Sequence, residues 1–111
     1  MKRIEAFIQN DKQKAVIDSM IDAGVGGLAV TRSLGRGAGE RPRIGGKKGE
    51  EIQYNAIDII TTVVDDSKVD SVLSAILKAG YSGTKGDGKI FVSDIDYAID
   101  IFSKEKGTKA L

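Results

Sequence analysis

Three residues in the run Thr84-Lys-Gly-Asp-Gly-Lys-Ile-Phe91 have the chemistry to hold a phosphate: Gly86, Gly88 and Lys89. Glycine lets backbone N–H groups approach an anion closely, and lysine adds a positive charge. Gly83 to Lys89 also fits the G-x-x-x-x-G-K spacing of a P-loop. Two features exclude that reading. Ile90 stands where the motif needs Ser or Thr to hold magnesium, and Ile90-Phe91-Val92 reads as a strand. A P-loop must instead open a helix, whose N-terminal amides bind the phosphates. Asp-Gly before an apolar run is also an ordinary hairpin turn. Alone, the octapeptide leaves turn and phosphate site both open.

The rest of the chain narrows the chemistry. It has 111 residues and no histidine, so the commonest general base and metal ligand is missing. It has no cysteine, which removes disulfides and thiolate chemistry and fits a cytoplasmic protein. No nucleophile–base constellation stands out, so the chain reads as a non-enzyme. Asp87 could polarise water for a slow nucleotide hydrolysis, but an Asp in a glycine turn usually caps the turn. The pairs Asp65, Asp66 and Asp94, Asp96 read as caps, and no metal ligand is assigned. A net charge of +1 gives no field for nucleic acid or an anionic membrane. No apolar stretch reaches transmembrane length, and the N-terminus lacks a signal-peptide core.

The length suits one domain, residues 1–111. Ile4, Ala6 and Ile8 alternate in Arg3–Ile8, which predicts a strand. Asn10 and Asp11, with Gln13 three residues after Asn10, predict a capped helix over Lys12–Ala23 with Val16, Ile17, Met20 and Ile21 at helical spacing. Gly24 closes it. Leu28–Leu34 predicts a second strand, and Ile57–Val64 a β-branched third. Ser67 and Asp70 have capping-box spacing before a helix over Lys68–Ala79, ended by Gly80. A glycine loop (81–89), a strand at Lys89–Val92, a short strand near Tyr97–Phe102 and a tail (103–111) complete the chain.

Between the halves, about 36–55, lies a glycine-rich stretch with the only proline, Pro42. A loop of about 20 residues is most often functional or disordered. Strand–helix–strand, loop, strand–helix–strand predicts an α+β, ferredoxin-like βαββαβ sandwich with both helices on one sheet face. At this size identical subunits are the natural cover for the other face.

The residues now resemble a known family, the PII nitrogen-regulatory signal-transduction proteins. The resemblance spans nearly the whole chain: Met1-Lys-Arg-Ile-Glu-Ala6, Gly27-Leu-Ala-Val-Thr31, Gly35-x-Gly37, Val63-Val64, and above all Gly83-Thr-Lys-Gly-Asp-Gly-Lys-Ile-Phe91. It implies a homotrimer with adenine nucleotides in the clefts between subunits. It also implies a T-loop, here about 36–55, that docks on membrane transporters or metabolic enzymes. Carried over by position, Gly86, Asp87, Gly88 and Lys89 hold the phosphates. Gly35, Arg36 and Gly37 form the T-loop base, and Leu28, Ala29 and Val63 line the adenine and ribose side. Arg41, Arg43, Lys47 and Lys48 would meet an acidic surface on the target.

The departures have a direction. The glutamine that helps bind magnesium and 2-oxoglutarate in the family is Gly39 here, and the arginine before it is Ala38. The lysine for the 2-oxoglutarate carboxylate falls on Ile57, and the glutamate of that strand on Thr61. Two phosphate-pairing arginines fall on Asp100 and Phe102, with Lys104, Lys106 and Lys109 as partial substitutes. Tyr54 is too near the loop's end to match the modified tyrosine of some members. The expectation is an altered PII-like sensor that binds ATP, ADP or AMP with little 2-oxoglutarate response and leaves magnesium open. The rival readings are a slow ATPase of the same fold and a structural or metal-binding trimer.

Overall fold

The computed structural model of the protein describes residues 1–37 and 54–111. The described residues form four strands: β1 (Lys2–Gln9), β2 (Ala29–Gly35), β3 (Asn55–Val64) and β4 (Gly88–Asp94). Helix α1 (Gln13–Asp22) joins β1 to β2, and α2 (Val69–Gly80) joins β3 to β4. The sheet runs β2-β3-β1-β4 with antiparallel neighbours. This is the expected ferredoxin-like arrangement. Each helix carries the chain over one intervening strand, so β2 and β4 become the sheet edges.

Alternation sorts the two faces. Ile4, Ala6 and Ile8 of β1 pair with Thr62, Ile60 and Asp58 of β3, and all six are buried beneath the helices. Val16 and Met20 of α1 and Val72 and Ile76 of α2 complete this core. Each residue that follows in the strands turns the other way. Phe7, Ile57, Ile59 and Val63 are only half-buried there, and Phe91 is exposed. Phe7 and Phe91 meet edge to face, with centroids 5.4 Å apart. Among the described residues this second face has no cover, since both helices lie on the first.

Three local expectations are corrected. Asn10 and Asp11 do not cap α1; Asn10–Lys12 form a 3-10 turn, and Gln13 sends its amide to Asp58 instead. Ser67 does not form a box with Asp70; the Asp65 carboxylate accepts from Ser67 N and Ser67 Oγ at 3.0 and 2.6 Å. The C-terminal strand near Tyr97–Phe102 shrinks to a single bridge between Ile99 and Lys106. The segment satisfies its backbone by turning on itself: Asp100 N donates to Glu105 O, and Gly107 N to Ala98 O, each at 2.9 Å. Gly24, at φ +96°, ends α1 as expected.

Candidate functional site

The loop after α2 is built by one carboxylate. Asp87 accepts from Ser82 N at 2.8 Å and from the Ser82 hydroxyl. Ser82 Oγ in turn lies 2.8 Å from Thr84 Oγ1. The Ser82 hydroxyl, then its amide, hold the Asp87 carboxyl below its ordinary value. Both oxygens are thus spent on folding the loop. An acid so engaged and so readily ionised is a poor proton acceptor.

From across the sheet end, Gln9 Nε2 donates to Gly86 O. Gly88 then starts β4 opposite Ile8 at φ +120°, pressed against the carbonyl of Phe7. No side chain fits there, so the backbone of β4 begins in close contact with β1. Gln9, Ser82 and Thr84 also line a polar cleft of about 320 Å³ with Lys12, Lys85 and Gly86. The sequence places Ser82 and Thr84 in this loop without assigning them a role, and it gives no sign of Gln9. The serine and threonine ahead of Asp87 were the available signal, since short hydroxyl side chains pair with a turn Asp.

Lys89 follows on the uncovered face. It shares a row across the sheet with Phe7, Ile59 and Thr31. Its side chain is exposed, one residue after Gly88 in the chain. Glycine amides beside a lysine suit an oligophosphate.

The other predicted residues lie elsewhere. Leu28 is half-buried just before β2. Ala29 pairs with Thr61, and Val63 is two residues further along β3 on the same uncovered face. Gly35 ends β2, where a Cβ would come within 2.5 Å of Ile57 Cδ1. Arg36 and Gly37 are exposed beyond it. Apart from Val63 on the adjoining β3, this group lies along the β2 edge, whereas Gly86–Lys89 lie at the β4 edge. β3 and β1 lie between, so three inter-strand spacings, about 14 Å, separate the two groups. The fold gathers Gly86–Lys89 at one loop but spreads the other group along β2, where Ala29 and Gly35 stand at opposite ends of an extended strand, about 20 Å apart. Arg41, Arg43, Lys47 and Lys48, with Ala38 and Gly39, lie outside the described residues.

Three of the paired acids have ordinary partners. Asp65 caps its turn, Asp66 pairs with the Met1 amine at 2.8 Å, and Asp94 pairs with Lys2. Among the described residues, no three acidic side chains gather as a metal site would require. No helix among them is long and apolar enough to cross a membrane.

A family model described as nitrogen regulatory protein P-II matches residues 1–105. Among curated proteins, the chain is 36% identical to the nitrogen regulatory protein P-II of Porphyra purpurea, over the full length of both. It is 37% identical, again over both full lengths, to the protein of that name from Nostoc punctiforme. It is also 36% identical to the nitrogen fixation nifHD region GlnB-like protein 1 of Methanothermobacter marburgensis, over 96% of this chain and 99% of that one.

Proposed function

The chain belongs to the nitrogen regulatory protein P-II family, a family of signalling regulators rather than enzymes, and we propose that it works as a sensor of adenine nucleotides. ATP, ADP or AMP binds in clefts between the subunits of a homotrimer. The bound nucleotide sets how the T-loop, about 36–55, engages a membrane transporter or a metabolic enzyme in the cytoplasm. Arg41, Arg43, Lys47 and Lys48 of that loop meet an acidic patch on the target.

The observation that carries this reading is the division of the site between the two sheet edges. Gly86–Lys89 at the β4 edge and Leu28, Ala29, Gly35 and Gly37 along the β2 edge are too far apart for one chain to close around one small ligand. Head-to-tail contact between copies puts the β4 edge of one beside the β2 edge of the next and completes a site at every contact. Where the rotation between copies closes, such a contact builds a ring. The uncovered face with Phe7, Ile57, Ile59, Val63 and Phe91 supplies the apolar surface for that assembly.

A weak 2-oxoglutarate response follows from the residues near the T-loop base. Ile57 packs under Gly35 and Thr61 pairs with Ala29; neither brings a positive charge to a dicarboxylate. The described β2 edge offers only Arg36 at that end.

Calorimetry tests the proposal with ATP, ADP and AMP, each with and without magnesium, alongside light scattering for mass. A trimer that binds at least one of them is expected. No binding of any adenine nucleotide overturns the ligand, and a monomeric mass overturns the cleft. Strong magnesium-ATP-dependent 2-oxoglutarate binding overturns the altered effector response.

A further inference from the structure

Strand β2 carries a stripe that the helices leave uncovered. Val30, Arg32 and Leu34 alternate onto the face that α1 and α2 cover elsewhere, opposite Ile60, Asp58 and Ala56. Val30 is 40% and Leu34 71% exposed, and the Arg32 side chain is 66% exposed. The arginine between them is fixed from below. Its Nε donates to Asp58 Oδ1 at 3.1 Å, and Gln13 Nε2 donates to Asp58 Oδ2 at 2.8 Å. Asp58 is wholly buried. The terminal nitrogens of Arg32 make no hydrogen bond or ion pair to another described residue. A buried carboxylate therefore holds a guanidinium at the surface with its outer donors on offer, between two apolar side chains.

The C-terminal hairpin carries the inverse pattern. Its turn is held by Lys104 N donating to Asp100 O at 2.8 Å and by the Ile99–Lys106 bridge. At the tip Ile101 and Phe102 are 95% and 96% exposed, and Asp100 lies between them and Ile99. Asp100 Oδ1 accepts from Ser103 N at 2.8 Å, and the Ser103 hydroxyl and the Phe102 amide also face the carboxylate, which orients it at the tip.

We propose that the hairpin tip of one copy clasps the β2 stripe of a neighbouring copy. Asp100 meets Arg32, and Ile101 and Phe102 cover Val30 and Leu34. The charges are opposite and each is flanked by apolar side chains, so one register satisfies both. The partner is a second copy, because the tip leaves its own β2 untouched. The hairpin starts from the far end of β4, across two strands from β2. A tip on one copy and a stripe on the next form a heterologous contact, the kind that closes a ring. The clasp rests on the ring assembly proposed above and assigns it a specific fastening.

The test is a double-mutant cycle on the full chain, without nucleotide. Subunit association is read by light scattering across a dilution series in sub-denaturing urea. Arg32→Gln keeps an amide for Asp58, and Asp100→Asn keeps an oxygen for Ser103 N, so both variants retain their local bonds. Each single variant is expected to weaken association about tenfold, and the double variant by no more than either single. Phe102→Ser, at an exposed position, weakens it too, with an unchanged circular dichroism spectrum. Additive effects, or variants that assemble like the parent, overturn the clasp while the ring stands. A monomeric parent protein overturns both.

Discussion

Gly88 lies so close to Phe7 that a Cβ built on it would come within 1.8 Å of the Phe7 carbonyl oxygen. The contact is backbone against backbone, so no side chain can move aside to relieve it. Gly88 also has φ +120°, where an L side chain is strained in any surroundings. Gly88→Ala is therefore expected to lower the unfolding free energy by about 3 kcal/mol or more, unless β4 shifts off β1. Urea denaturation checks this. Little change in the midpoint would mean that the loop relaxes freely, and that its shape is not fixed by the sheet.

The same loop marks how far the sequence could be read. The alternation of Ile4, Ala6 and Ile8 identified a strand and its buried face, because period-2 burial depends only on neighbouring residues. Gly24 marked a helix end for a reason equally local. Gln13 was misassigned as a cap because its amide is claimed by Asp58, 45 residues away. Local rules do not contain that contact. Asp58 itself left a trace: it occupies the inward register of β3 with Ile60, Thr62 and Val64. An acid in that register needs a buried partner, and Arg32 is the residue directly opposite. Tyr97, Ile99 and Ile101 alternate like a strand, yet alternation says nothing of whether a partner strand exists. Gly86–Lys89 were legible as a phosphate loop, but the division of the site between two edges follows only from strand order.

Arg32 and Asp58 give a second prediction. Removing Arg32 leaves a buried carboxylate with Gln13 as its remaining side-chain donor. Arg32→Ala is expected to cost about 1–3 kcal/mol, at the lower end because water reaches the exposed guanidinium side. Arg32→Gln should recover most of this, since an amide also donates. Equal losses in the two variants, measured by chemical denaturation, would show that packing of the long side chain matters more than its hydrogen bond.

The Ser82–Asp87 contact makes the loop sensitive to acid. Its folded carboxyl titrates below the ordinary value of an aspartate. The contribution is thus complete above the unfolded value, about pH 4, and is lost as pH falls through the lower folded value. The Ser82 amide resonance reports this directly. It is expected to hold steady from neutral pH down to about 4 and to shift only below that. In Asp87→Asn the low-pH shift disappears. A titration of the parent centred above 4 would place the carboxylate outside the hydrogen bonds described.

Lys89 supplies the last prediction, and it separates a phosphate ligand from a structural lysine. The ammonium group is exposed and rises from the uncovered face, so Lys89→Gln should leave the unfolding midpoint nearly unchanged. If it meets a phosphate, the variant loses one charge-assisted hydrogen bond, and affinity for ATP falls about 10- to 100-fold. The salt dependence of binding should flatten as well, because one fewer ionic contact is screened. Replacing Lys104, Lys106 and Lys109 together should cost less per residue, since flexible lysines on a surface tail position a phosphate poorly. Calorimetry at two salt concentrations resolves these outcomes. Unchanged ATP affinity in Lys89→Gln, with loss in the tail variant, would move the phosphates from the β4 loop to the tail.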